Sequence, residues 1–171
     1  KKVVENQFNC PYDWFRNSEY GGTALKIEEF KNITIAYIRR TGNYGFENKI
    51  FMENFKEYLR EKELLDKSSV ILGIALDNPA MTDKNKLRYD VGLIVNGNPD
   101  IALDIRKIPD GIYAVFELPH TEQDITAFWS NIQKLVGSLS VDETKPVIER
   151  YPADKVAKHL CEFCIPLKKL S

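Results

Sequence analysis

The sequence predicts an α+β fold in which one β-α-β-β unit occurs twice, forming an antiparallel sheet with helices on one face. Two observations lead to this prediction. Apolar residues recur at every second position in some segments and at every third to fourth in others, which separates strands from helices. The order of these segments is the same in both halves of the chain. Such repeats pack about a pseudo-twofold axis, so we expect a ligand cleft where the halves meet.

The first repeat spans about residues 24–97 and contains four elements. Residues 24–42 are rich in β-branched and aromatic side chains, which is typical of a strand. Residues 47–65 have a helical period, and strands follow at 68–79 and 86–95, each ended by an Asn- and Pro-containing turn. The apolar face of the predicted helix consists of Phe51, Phe55, Tyr58 and Leu59.

The second repeat, about residues 100–169, follows the same order. Residues 102–118 are predicted as a strand, 122–139 as a helix, and 146–152 and 159–167 as two further strands. The apolar positions of the helix, spaced by three and four, are Ile125, Phe128, Trp129, Ile132, Leu135, Val136 and Leu139.

The N-terminal segment differs from both repeats. Residues 1–22 are polar and irregular, and we interpret them as a linker or the tail of a preceding domain. Trp14 and Phe15 in this segment are candidates for docking on the folded body. The folded domain is therefore expected to comprise residues 23–171.

Composition limits the classes of function. Of the 171 residues, 43% are hydrophobic and 29% charged, and the 24 basic and 25 acidic residues give a net charge of −1. This balance gives no general attraction to nucleic acid or to an anionic membrane. The apolar runs are shorter than the ~18 residues of a membrane span. We expect a cytoplasmic domain without membrane contact.

Three cysteines, Cys10, Cys161 and Cys164, do not make a disulfide framework and suggest a reducing compartment. The C-x-x-C at 161–164 lies in a strand pattern, which directs its two thiols to opposite faces. The sequence has no second such pair. His120 and His159 lie in no ligand pattern, so we expect neither a metal site nor another cofactor.

Glu162 interrupts the otherwise apolar segment HLCEFCIPL. A carboxylate in a half-buried strand is costly unless it is neutralised or paired. When the last strands of the two repeats are aligned, Asp90 falls opposite Glu162, and strand alternation places both on the face away from the helices. We interpret that face as the lining of the cleft. Arg88 lies two residues before Asp90, whereas Glu162 has no cation nearby in sequence.

The sequence also resembles the GyrI-like small-molecule-binding domains, which occur as effector-binding domains of AraC-type and MerR-type regulators. The resemblance covers about residues 24–168, and one departure is HTEQD in place of the family's usual turn. The segments that carry it are AYIRRTGNY (36–44), LGIALDNPAMTDKNKLRYD (72–90), IPDGIYAVF (108–116), FWSNI (128–132) and EFCIPL (162–167).

The resemblance implies a cleft with aromatic walls and a glutamate on the last strand, which binds bulky, lipophilic and often cationic compounds. Strand alternation turns Tyr89 away from the Asp90 face, and Trp129 is one of the apolar positions of the helix predicted at 122–139. With these included, the candidate ligand-binding residues are Glu162, Tyr113, Tyr89, Tyr44, Tyr37, Phe116, Trp129 and Asp90.

Two hypotheses of function follow from the resemblance. In the first, the chain is the effector-binding domain of a bacterial transcription regulator, with a homodimer as one open form of assembly. Residues 1–22 would then be a linker or the tail of an upstream DNA-binding region, and the domain would meet DNA only through that upstream region. In the second, it is a stand-alone protein that sequesters toxic electrophilic compounds or hydrolyses them. Hydrolysis would use Glu162 to direct water and a tyrosine to assist.

Overall fold

The computed structural model describes residues 18–20 and 23–169, with side chains from residue 25 onward, so Cys10, Trp14 and Phe15 lie outside the described residues. Nine strands and four helices form within this part of the chain. In chain order they are β1 (Ser18–Tyr20), β2 (Thr23–Phe30), β3 (Thr34–Thr41), α1 (Phe46–Glu61), β4 (Val70–Ala75), β5 (Arg88–Val95), β6 (Asp104–Lys107), β7 (Gly111–Pro119), α2 (Glu122–Ser130), α3 (Ile132–Leu135), β8 (Ile148–Pro152), α4 (Ala153–Val156) and β9 (Leu160–Leu167).

The strands form one sheet in the order β1-β2-β7-β9-β8-β4-β5-β3-β6. Every pair of neighbouring strands is antiparallel. The order is symmetric about the contact between β8 and β4, because β9 and β5, then β7 and β3, follow on either side. The predicted α+β fold with a duplicated β-α-β-β unit is confirmed.

Two strands depart from the predicted repeat, because residues 24–42 and 102–118 each form two strands rather than one. The chain turns between β2 and β3 at Asn32, whose φ is 56°. Between β6 and β7 it turns at Pro109, which has no N–H to donate to a sheet. Strand β2 then pairs with β7 of the second half, and β6 pairs with β3 of the first. Each half therefore contributes an outer strand to the other.

The helices pack on one face of the sheet, as predicted. Side chains of α1 and α2 form one apolar core with strand residues such as Val91 and Phe116. Thr121 caps α2 by accepting a hydrogen bond from the Asp124 N–H at 3.1 Å. No helix in the described part of the chain is long and apolar enough to cross a membrane.

The second helix is shorter than the predicted 122–139 because Asn131 interrupts it. The Asn131 side chain donates to the carbonyl of Ala127 at 2.8 Å, competing with the backbone ladder. The short helix α3 follows, and Leu135, Val136 and Leu139 still reach the core, as the apolar spacing predicts.

The opposite face of the sheet is also buried. Only residues 31–33 connect β2, second in the strand order, to β3, next to last in it, so the two ends of the sheet must curl towards each other. This curl encloses a second apolar core that includes Phe30 and Ile148. Cys161 and Cys164 lie in different cores, on opposite faces of β9, as predicted.

Candidate functional site

A cavity of about 900 Å³ lies on the helix-bearing face, where the two halves meet. This volume falls within the range of small-molecule sites. Helices α1 and α2 form its walls, and strands β5, β8 and β9 form its floor. Its lining includes Met52 and Trp129 on the walls and Tyr89, Glu149, Tyr151 and Phe163 on the floor.

Strand alternation in β8 directs Glu149 and Tyr151 into the cavity. Their neighbour Ile148 belongs to the core of the opposite face, whereas Tyr151 belongs to the core beneath the helices. Glu149 pairs with Gly73 of β4 on one side and with Phe163 of β9 on the other. Since β8 and β4 meet at the pseudo-twofold axis, Glu149 lies at the junction of the two halves.

Two tyrosine hydroxyls donate to the Glu149 carboxylate. The Tyr151 hydroxyl lies 2.6 Å from Oε2, and the Tyr89 hydroxyl lies 3.3 Å from the same oxygen. Burial raises the pKa of Glu149, although both hydrogen bonds oppose that shift. Burial and the adjacent carboxylate also raise the pKa values of Tyr89 and Tyr151, so both remain protonated donors.

Within the described part of the chain, Glu149 has no fixed cationic partner. Among the residues whose side chains the structure describes, no ion pair joins this carboxylate to a lysine, arginine or histidine. A half-buried carboxylate whose direct hydrogen-bond donors are neutral is an unusual arrangement, because its charge is incompletely compensated. Such a group is suited to pairing with a cation that enters from solvent.

Gly73 leaves room for this arrangement. A Cβ atom at residue 73 would overlap the Tyr89 hydroxyl and would lie 3.1 Å from Glu149 Oε2 and 3.2 Å from Met52 Cε. The missing side chain therefore allows Tyr89 to reach the carboxylate across β4.

Aromatic rings line the part of the cavity nearest α2. Trp129 packs edge-on against Phe163, with centroids 5.3 Å apart, and is 39% exposed. His120 lies 5.3 Å from Tyr151 between ring centroids, and burial lowers the pKa of its imidazole. A ligand in the cavity would thus meet ring faces and edges around a single carboxylate.

The cavity contains two of the eight residues predicted for the site, Tyr89 and Trp129. Tyr44 and Phe116 lie on the same face but outside the lining. The Tyr44 hydroxyl donates to the Arg88 carbonyl at 2.6 Å, and its ring lies edge-on to Tyr89 at 6.4 Å. Phe116 is fully buried beneath Phe128.

Glu162 lies on the opposite face of the sheet, and the expectation that it has no fixed cation is wrong. Arg150 on β8 donates to it twice, from Nε at 3.0 Å and from Nη2 at 3.1 Å. Arg150 also binds Glu28 through two hydrogen bonds of 3.0 and 2.8 Å. The placement of Glu162 away from the helices is correct, but that face is the enclosed second core rather than the cleft.

Asp90 is held in a similar way at its equivalent position. Arg39 and Arg106 both donate to its buried carboxylate at 2.6 to 3.1 Å. Arg88, the cation near Asp90 in sequence, instead pairs with Asp77. The Tyr37 ring lies beside the guanidinium groups of Arg39 and Arg106, away from the cavity.

Tyr113 also belongs to the second core. Its ring stacks on Phe30 with centroids 4.2 Å apart, and burial raises its pKa to about 12. The structure thus separates four predicted site residues, Glu162, Asp90, Tyr113 and Tyr37, from the cavity by the thickness of the sheet.

The sequence analysis did not identify Glu149 and Tyr151. A usable signal was present in PVIERYP, where Glu149 and Tyr151 share one strand face and Ile148 and Arg150 share the other. What the segment does not reveal is which face bears the helices.

Comparisons with known proteins identify the family of this fold. Residues 23–168 match the profile of the GyrI-like small molecule binding domain. A Bacillus subtilis (strain 168) protein named "SPbeta prophage-derived putative transcriptional regulator YosT" is 38% identical over 148 residues, which cover 84% of this chain and 99% of that protein.

Two solved structures have a similar fold at low sequence identity. SAV2435 bound to tetraphenylphosphonium is 16% identical with a TM-score of 0.59, and the match covers 84% of this chain and 93% of that one. The C-terminal domain of EcmrR is 10% identical with a TM-score of 0.61, covering 86% and 99% respectively. From the profile match and the Bacillus relative together, the chain belongs to the family of GyrI-like small molecule binding domains.

Proposed function

We propose that the chain is the ligand-sensing domain of a bacterial transcription regulator and that it binds bulky, lipophilic aromatic cations in the cavity between α1 and α2. Glu149 would supply the counter-charge, and Trp129, Tyr89 and Tyr151 the aromatic surface. Contact with DNA would be made by a separate upstream domain.

The observation that carries this proposal is the incompletely compensated Glu149 carboxylate on an aromatic cavity floor. A cation would provide the missing ionic partner, and its aromatic groups could pack on Trp129 and Phe163. The structural neighbour SAV2435 is described as bound to tetraphenylphosphonium, a cation of this class, which makes that compound a suitable probe. The name of the Bacillus relative supports the regulatory context.

The test is calorimetric titration of tetraphenylphosphonium and of neutral triphenylphosphine oxide into the wild type and Glu149→Gln. The substitution preserves shape and removes the charge, so affinity for the cation should fall by about 1.5–3 kcal/mol, the size of a charge-assisted contact. Affinity for the neutral compound should change little.

Glu162→Gln is the matched control, because it makes the same chemical change on the neighbouring strand but on the opposite face of the sheet. Affinity for the cation should be the same as in the wild type. Equal losses for both ligands in Glu149→Gln, or no loss for either, would contradict the proposal.

A second candidate is a stand-alone protein that sequesters or hydrolyses toxic electrophiles. It is favoured by one observation: the match covers 99% of the Bacillus relative, so that relative consists of this domain. In hydrolysis, Glu149 would accept a proton from water as the oxygen attacks an electrophilic ring carbon, and a tyrosine would protonate the opened ring. Turnover of a strained electrophile that disappears in Glu149→Gln would support this candidate, and unchanged turnover would exclude it.

A further inference from the structure

The cavity wall carries a cation of its own. Lys56 on α1 donates to Glu53 Oε1 at 3.2 Å, and its ammonium lies 5.5 Å from the centroid of the Tyr151 ring. This distance is within the range of a cation–π contact. The Lys56 side chain is only 14% exposed, whereas that of Glu53 is 57% exposed. The ammonium is therefore held inward, over the ring whose hydroxyl donates to Glu149.

Lys56 also acts on Glu149 through space. Its charge lowers the pKa of the Glu149 carboxyl, opposing the larger effect of burial, and it lowers the pKa of the His120 imidazole. The other charged side chains that line the cavity are Lys49, Glu53 and Glu122, all on the helices. Lys56 is thus the lysine that combines a ring contact on the floor with an electrostatic effect on the carboxylate.

We propose that Lys56 is a specificity-determining residue, a resident cation that covers the Tyr151 ring and competes with cationic ligands for the Glu149 end of the cavity. This inference rests on the proposed function. An entering cation must displace the ammonium from the ring or bind beside it against like-charge repulsion. A large aromatic cation can offset this cost by burying apolar surface on Trp129 and Phe163, whereas a small ammonium ion cannot. The cavity would therefore select bulky lipophilic cations over small ones.

The test compares Lys56→Met with the wild type by titration with tetraphenylphosphonium, tetramethylammonium and triphenylphosphine oxide. Methionine keeps an unbranched apolar side chain without the charge. Affinity for tetraphenylphosphonium should rise about five- to tenfold, the size of a partly desolvated cation–π contact. Tetramethylammonium should gain by a larger factor than tetraphenylphosphonium, because it has little apolar contact to offset the lysine, and the neutral compound should be unaffected. Equal factors for the two cations would contradict the role in selectivity.

Lys49→Met is the control, since it removes the same charge from the same helix, and no ring contact of Lys49 with Tyr151 occurs in the described part of the chain. If cation affinity rises less in Lys49→Met than in Lys56→Met, the role is specific to Lys56. An equal rise in both variants would mean a general effect of net charge and would contradict the inference. A loss of cation affinity in Lys56→Met, or no change, would overturn the inference.

A measurement on the ligand-free protein separates this inference from the proposed function. Carboxyl carbon NMR should show Glu149 titrating at higher pH in Lys56→Met and in Lys56→Gln, but not in Lys49→Met. Unchanged titration in the Lys56 variants would overturn the role of Lys56 even if Glu149→Gln weakens cation binding. A shifted titration with no effect of Glu149→Gln on binding would instead overturn the proposed function and leave the Lys56–Glu149 interaction established.

Discussion

Glu149 and Glu162 lie on neighbouring strands, yet among the described residues only Glu162 has a fixed cation. Arg150, adjacent to Glu149 in sequence, points to the other face of the sheet and binds Glu162 there. Glu149 receives hydroxyl donors instead. Two successive residues of β8 therefore differ in role: Arg150 completes an ion pair on one face of the sheet, and Glu149 faces the cavity on the other.

This difference predicts how stability depends on pH. Burial raises the pKa of Glu149 above its ordinary value of 4.5, so the folded state binds this proton more tightly than the unfolded chain does. Its contribution to stability is therefore fully present below pH 4.5 and is lost as the pH rises through the raised pKa. Glu149→Gln cannot titrate and should become more stable relative to the wild type as the pH rises. Urea unfolding of both proteins from pH 4 to 8 measures this, and a constant difference would contradict it.

Cation binding should show the opposite trend over the same interval, because it requires the ionised carboxylate. Affinity for tetraphenylphosphonium should rise with pH in the wild type and rise less in Glu149→Gln. His120 also faces the cavity, and its protonation at low pH would repel a cation. His120→Asn removes that contribution, so a rise that persists in this variant is assigned to Glu149.

The sequence predicted an aromatic cleft around a carboxylate without a fixed cation, but it assigned that carboxylate to Glu162. Alternation correctly separated Glu162 from the apolar face of β9. It could not identify Arg150, twelve residues away, as the partner of Glu162. That pairing depends on the register between β8 and β9, which local sequence does not encode.

At the scale of elements, the floor of the site depends on the close approach of β4 and β8. Gly73 pairs with Glu149, and its missing side chain accommodates the Tyr89 hydroxyl from β5. Side chains of β5 and β8 therefore pack directly against the backbone of β4 at Gly73, and an added methyl group has no room there.

We expect Gly73→Ala to lower the free energy of unfolding by about 1–3 kcal/mol, the usual cost of an added methyl group in a packed interior. It should also weaken tetraphenylphosphonium binding, since Tyr89 would move from Glu149. Adding Tyr89→Phe removes the hydroxyl that the methyl group meets and should recover part of the stability. Urea denaturation of the two single variants and the double variant gives the coupling energy. Additive losses would show that the methyl group and the hydroxyl do not meet.

At this scale the sequence could predict the positions of most elements but not which strands pair. The helix α1 and strands β4, β5, β8 and β9 lie within the segments that periodicity predicts, apart from one residue at the start of α1. Strands β2 and β6 were missed as separate elements, because the turns at Asn32 and Pro109 interrupt continuous β-type sequence. Their pairing with the opposite half is non-local.

At the scale of the whole molecule, this exchange joins the two halves at both ends of the sheet. Strand β2 extends the second half and β6 extends the first, while β4 and β8 pair at the centre. The repeats, predicted at about residues 24–97 and 100–169, therefore cannot separate without breaking three sets of strand contacts. We expect them to unfold as one cooperative unit, although each contains a complete β-α-β-β order.

Trp129 on α2 reports on the second half, and Ile35 on β3 is a fully buried residue of the first. In a Trp14→Phe background Trp129 is the single tryptophan, since the sequence contains two. Ile35→Val should cost about 1 kcal/mol by removing one buried methyl group. If the halves unfold together, urea transitions followed by Trp129 fluorescence and by far-UV circular dichroism should coincide and shift by the same free energy. A Trp129 transition that stays in place while the circular dichroism curve shifts or splits would mean that the exchanged strands do not couple the halves.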